Sequence, residues 1–171
     1  MKYSVKPDEQ AEGGYCEFYD IVEDSSLGFK SFSKKNRAIE ALSNQKKLSK
    51  FGLAPKAIGD IIKLPFFISG MKFTTNWGFI TQKAQPVDED YSEKSLEQIQ
   101  KLVNYIYVKT NLKFWDCHWW NIGLVKIKGK QKMVCIDTGS ESFRRDFNAW
   151  GFNFPGPKCD LCDQYQCKCG V

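Results

Sequence analysis

The chain has 171 residues, with 25 Lys and Arg against 20 Asp and Glu and a formal charge of +5. Hydrophobic residues make up 42% and charged residues 26%, which suits one globular chain with its own core and excludes a disordered or collagen-like one. The longest apolar stretch, Ile61 to Met71, is broken by Lys63, Pro65 and Gly70 and is well short of the ~20 residues a spanning helix needs, so a soluble protein without membrane contact is expected.

The opening MKYSVKPDEQ has no apolar segment of the secretory kind, which places the seven cysteines in a reducing cytoplasm, as thiols or metal ligands before disulfides. With His118 as the single histidine, His-rich metal sites are excluded. The mild positive balance permits anionic ligands and does not demand nucleic acid.

A possible first strand at Lys2 to Lys6 precedes Gly13-Gly14. Aromatic and β-branched residues over Tyr15 to Val22 and Leu27 to Phe32 bracket the turn Glu23 to Ser26 and predict a hairpin. Ser33 offers a capping oxygen to a helix over Lys34 to Lys50, where Ala38, Ile39 and Leu42 recur at helical spacing and Gly52 supplies the stop. Pro55 to Ile68 and Trp77 to Ala84 predict two or three further strands. From Ser92 to Lys109, Leu96, Ile99, Val103 and Ile106 step by three and four, with Glu93 and Lys109 suiting the helix dipole. Asn121 to Asp137 reads as a hairpin turning at Gly129.

The chemistry concentrates in FWDCHWWNIGLV and MVCIDTGSESF. For a turn centred on Gly129, residues whose numbers total about 258 face each other, which sets Asn121 against Asp137. An amide oxygen beside a carboxylate is a pair of hard ligands suited to Mg²⁺, which takes only one or two protein carboxylates when phosphates supply the rest. Asp116, five residues before Asn121, is placed to receive a proton from an attacking hydroxyl.

Asp116-x-His118-x-x-Asn121, then a hairpin, then Asp137-Thr138-Gly139, resembles the catalytic and metal-binding loops of the protein-kinase-like superfamily, His118 being similar to its aminoglycoside and choline kinase branches. By order of elements the resemblance spans roughly residues 1–143. It implies an α+β, two-lobed fold with a strongly reduced C-terminal lobe, since only 34 residues follow Asp137. Residues 1–85 would form the N-terminal lobe and 86–157 the reduced lobe with both loops. It implies Asp116 as base or hydroxyl-orienting carboxylate, Asn121 and Asp137 as Mg²⁺ ligands, Lys30 on the ATP phosphates, Glu40 as its ion-pair partner, and Gly13-Gly14 as the phosphate-covering loop. Phe114-Trp115 replaces the usual His-Arg, Thr138 replaces Phe, and no Gly-x-Gly-x-x-Gly is present.

The expected function is therefore an ATP- and Mg²⁺-dependent phosphotransferase acting on a protein or small-molecule hydroxyl. The alternative is a pseudokinase-like binding module that grips a protein partner. Lys126, Lys128, Lys130 and Lys132 alternate on one face of the hairpin and read as a solvated tip, so nucleic acid is not an expected partner. Trp115, Trp119 and Trp120 read as core packing, and Cys16, Cys117 and Cys135 as small core residues. Cys159, Cys162, Cys167 and Cys169, within 158–171, have the number and spacing for a structural Zn²⁺ knuckle, with disulfides or an unstructured tail as the alternatives.

Overall fold

The computed structural model describes residues 3–7, 11–12, 16–88, 90, 92–127 and 129–143. Gly13, Gly14 and the four tail cysteines lie outside the described residues. The architecture is mixed α+β.

The first half builds one antiparallel sheet. Strand β1 (Ala11–Glu12) pairs with β2 (Cys16–Asp20), and β2 pairs with β3 (Leu27–Phe32), the predicted hairpin. Helix α1 (Lys35–Ser49) and β4 (Ala57–Ile62) follow. A separate two-stranded hairpin, β5 (Pro65–Ile68) with β6 (Met71–Thr74), intervenes before β7 (Trp77–Gln82) returns to the sheet between β3 and β4. Four strands thus stand where two or three were predicted. The proposed strand at Lys2 to Lys6 reduces to a single bridge between Val5 and Ile21.

Strand β3 is buried throughout because both its faces are covered. Leu27 and Phe29 point to one face and join Val5, Ile21, Leu64 and Ile80. Phe32 points to the other and meets Phe79 and the Ala38, Ala41 and Leu42 stripe of α1, the two rings stacking at 6.0 Å. Strand alternation places Lys30 on this helix-covered face. The turn of α1 into the sheet differs from expectation: Lys34, in extended conformation, occupies the capping position without a side-chain bond, so Ser33 is not the cap. The helix starts on packing against the sheet instead. Gly52 ends the segment as predicted, at φ +67°.

Close approach of β3 and β7 fixes Gly78. A Cβ there would fall on the Lys30 carbonyl oxygen and lie 2.8 Å from its carbon, backbone that cannot rotate away. Gly78→Ala should therefore cost about 3 kcal/mol, at the upper end for overpacking, and lower the melting temperature by about 6–12 °C in thermal unfolding.

The second half packs around α2 (Glu93–Thr110), whose Ser92 side chain accepts from the Ser95 amide at 3.3 Å and whose Asn111 closes it in the left-handed region. Leu96, Ile99, Leu102 and Ile106 form its buried face and pack with Phe114, Trp119, Ile122 and Cys135. Strand β8 (Gln85–Pro86), β9 (Ile122–Ile127) and β10 (Lys130–Cys135) make a second small sheet, in the order β10, β9, β8. Ile127 pairs with Lys130 and Ile122 with Cys135, so paired residues total 257, one fewer than expected. The loop is two residues long, and its centre lies ahead of Gly129, which takes φ +78°. One consequence is that Lys126 shares a face with Gln131, while Lys130 and Lys132 point to the opposite one. The single lysine face is therefore corrected.

Candidate functional site

The loop after α2 is anchored at three positions. Phe114, Cys117 and Trp119 are buried, Phe114 lies 5.5 Å from the Phe143 ring, and the Trp115 amide donates to the Ser142 carbonyl. This leaves Asp116, His118 and Asn121 half-buried between the anchors. The Asn121 amide nitrogen donates to the Asp116 carbonyl oxygen at 2.9 Å and to Asp116 Oδ2 at 2.8 Å. His118 Nε2 lies 3.1 Å from Asp116 Oδ1. The same ring nitrogen lies 3.2 Å from the Asn121 amide nitrogen, while Nδ1 is buried and has no hydrogen-bond partner among the described residues.

Asp137 sits past the end of β10. The register shift sets Asn121 opposite Ile136, whose amide donates to the Asn121 carbonyl at 2.9 Å, and not opposite Asp137. The amide and carboxylate are near in sequence register but held by different partners. Asp137 Oδ1 accepts from the Gly139 amide at 3.0 Å, and Oδ2 from the Ser142 hydroxyl at 2.6 Å.

Lys30 reaches this loop from β3. It is 7% exposed, and its ammonium donates to the carbonyl of Ile136, the residue before Asp137, across 106 positions of sequence. Among the described residues it forms no ion pair. Glu40, expected to pair with it, instead accepts from the Ser140 hydroxyl at 2.7 Å and is exposed, because α1 turns this position outward.

The buried contact from α1 is made by Gln45, which the sequence analysis did not single out. Fully buried, it accepts from the Thr138 hydroxyl at 3.2 Å and donates to the Pro55 carbonyl and the Thr81 hydroxyl. Asn44 adds a bond to the Thr138 carbonyl at 3.1 Å. Together they tie the Asp137 loop to α1 and to the end of β7. The signal was present in the sequence: Gln45 continues the buried stripe of Ala38, Ala41, Leu42 and Leu48, where a polar residue must find partners.

The thiols of Cys117 and Cys135 are neutral, and Cys135 Sγ donates to the Asp137 carbonyl at 2.9 Å. Burial pushes Cys117 up to about 12 and Cys135 well above its ordinary value, so both stay protonated. Half-buried Cys16 is also raised by burial, against a lowering by Lys30. Of the three tryptophans read as core packing, Trp119 is buried and Trp115 half-buried, whereas Trp120 is 74% exposed with its ring edge-on to His118 at 5.0 Å.

For Mg²⁺, the donor chemistry fits. Asn121 spends its nitrogen on Asp116, which leaves Oδ1 to accept a cation, and each Asp137 oxygen retains a lone pair beyond its one hydrogen bond. Among the described residues no group of three or more His, Cys, Asp or Glu gathers as a metal site. No helix there is long and apolar enough to cross a membrane.

No family model matches the chain, and no curated protein matches it. Among solved structures it is similar to the crystal structure of Cex1p, at 16% identity and a TM-score of 0.43. The match covers 89% of this chain and 29% of that one, so the chain spans under a third of that protein's length. A likeness at this level carries no argument about fold or function.

Proposed function

We propose that the chain is an ATP- and Mg²⁺-dependent phosphotransferase of protein-kinase-like construction, with a reduced C-terminal lobe, that phosphorylates a hydroxyl of a protein or small molecule. The observation that carries this reading is Lys30, a buried ammonium that meets a carbonyl and no carboxylate among the described residues. An unpaired buried charge costs several kcal/mol, and nucleotide phosphates beside the Asp137 loop would supply its counter-charge. The order of elements supports it as well: a hairpin carrying Lys30, helix α1, further strands, helix α2, then the Asp116 loop and the β9–β10 hairpin before Asp137.

In this reading Asn121 Oδ1 and Asp137 would hold Mg²⁺, which would supply neutralisation of phosphate charge. Lys30 orients the phosphates, and Asp116 takes the proton of the acceptor hydroxyl as the new phosphorus–oxygen bond forms and ADP leaves. His118 and Asn121 fix the rotation of the Asp116 carboxylate.

Asp137→Asn removes the charged metal ligand. The expected result in calorimetric titration is loss of Mg²⁺-dependent ATP binding in a variant that still unfolds cooperatively, with a melting temperature lowered only by the weakened bonds to Gly139 and Ser142, while unaltered binding would remove Asp137 from the metal site.

The second reading, a binding module that holds nucleotide or a protein partner without transfer, is favoured by one observation. Glu40 is bonded to Ser140 and leaves Lys30 without a fixing carboxylate. Nucleotide binding without ADP formation against a panel of hydroxyl acceptors would select it.

A further inference from the structure

Hairpin β5–β6 projects from the sheet, and among the described residues little covers it. Its cross-strand pairs, Phe66 with Phe73 and Ile68 with Met71, put four apolar side chains on one face. Phe66 packs into the core under the sheet and stacks on Phe73 at 5.4 Å. Beyond that anchor the apolar face runs outward into solvent, with Ile68, Met71 and Phe73 45%, 61% and 40% exposed, and Phe67, on the other face opposite Lys72, 53% exposed. The turn Ser69-Gly70 has both residues at positive φ, a tight tip with no charge.

A second feature sits at the base of the hairpin. Lys63, just before β5, and Lys35, at the start of α1, bring their ammoniums to 5.0 and 4.3 Å from the centre of one ring, that of Trp77. Neither forms an ion pair among the described residues. Residues 61–87 contain no Asp or Glu, and Lys72 adds a further exposed cation on the hairpin itself.

An apolar tip with unpaired ammoniums behind it complements a surface that is apolar inside and anionic at its rim. We propose that hairpin 65–74 docks the protein onto an anionic phospholipid bilayer, with Ile68 and Met71 at the tip entering the acyl boundary and Lys35, Lys63 and Lys72, the last level with Phe67 on the other face, meeting lipid phosphates. The dimensions agree. Four strand residues reach about 13 Å, whereas an interfacial element buries itself by about 5–10 Å, so the base lysines stay at headgroup level while the tip passes it. Trp77 between the two lysines is the side chain that prefers that level. A second copy of the chain fits less well, because it would set the same lysines against each other, and a hairpin of this size falls short of the ~20–30 residues a side of a stable interface.

The test is flotation of the full chain with phosphatidylcholine vesicles containing about 30% phosphatidylserine, beside pure phosphatidylcholine vesicles. Expected is binding to the anionic vesicles that weakens at least tenfold in high salt and on the neutral lipid. The double substitution Ile68→Ser with Met71→Ser, at exposed cross-strand positions and without introducing like charges, should leave cooperative unfolding in place and lose binding by at least tenfold. Lys35→Gln and Lys63→Gln should each weaken it about fivefold. Failure of the unaltered chain to float with the anionic vesicles would overturn the proposal, as would flotation undiminished by the tip substitutions. Self-association in sedimentation equilibrium that the same substitutions abolish, without lipid binding, would assign the hairpin to a second copy and overturn it too.

Discussion

Lys30→Met is expected to abolish ATP binding and to make the unliganded protein more stable. The two effects have one origin. Lys30 is 7% exposed and its ammonium has a carbonyl partner but no carboxylate among the described residues, so folding removes a full charge from water with only a dipole in return. Methionine keeps most of the stem volume against the α1-covered face and removes the charge. Replacing poorly compensated buried charge with apolar side chains has stabilised other proteins by about 1–4 kcal/mol, and a gain of about 1 kcal/mol or more is expected here, read as a higher melting temperature. The ligand then loses its phosphate partner, and no nucleotide-dependent rise should remain. A fall in stability would show that Lys30 is a structural cation satisfied within the fold.

The second large effect is on chemistry. Asp116→Asn should reduce phosphoryl transfer by about 10²- to 10⁴-fold, the range for loss of a general base, while ATP affinity changes little because in the proposed mechanism Asp116 acts on the acceptor hydroxyl and not on the nucleotide. The substitution is conservative in shape. An asparagine oxygen still accepts from Asn121, so the loop anchored by Phe114, Cys117 and Trp119 should keep its conformation. Single-turnover assays with the acceptor present separate the two quantities. Undiminished transfer would leave Asp116 as the residue that orients Asn121 and His118, and nothing more.

What could be read from the sequence divides along physical lines. Helix α2 was legible because two signals agree: apolar steps of three and four, and Glu93 and Lys109 at the ends that suit the helix dipole. The β2–β3 hairpin was legible from its alternation and polar turn. The β5–β6 hairpin was not, because its exposed face is apolar and FFISGMKF reads as a continuous buried run. Ser33 failed as a cap because sheet packing, not a side-chain oxygen, sets the start of α1.

In the site, the Asp116 and Asn121 contact was foreshadowed by their spacing, but its form was not. The sequence brought Asn121 to Asp137 through an assumed turn centre, and a shift of one residue in register is enough to give Asn121 to Asp116 and Asp137 to Gly139 and Ser142. Glu40 was chosen for its charge, whereas the burial stripe of α1 selects Gln45. Charge identifies what a residue can bind; helical phase decides what it faces.

The most direct measurement is thermal unfolding of the full chain with and without ATP and Mg²⁺. A ligand at 100 times its dissociation constant adds about 2.7 kcal/mol, which for a chain of this size is a rise of about 5–11 °C. The expected result is that rise in the unaltered protein, a smaller one when Mg²⁺ is chelated, and none in Lys30→Met. No rise at saturating ATP and Mg²⁺, in protein that unfolds cooperatively, would contradict the nucleotide site.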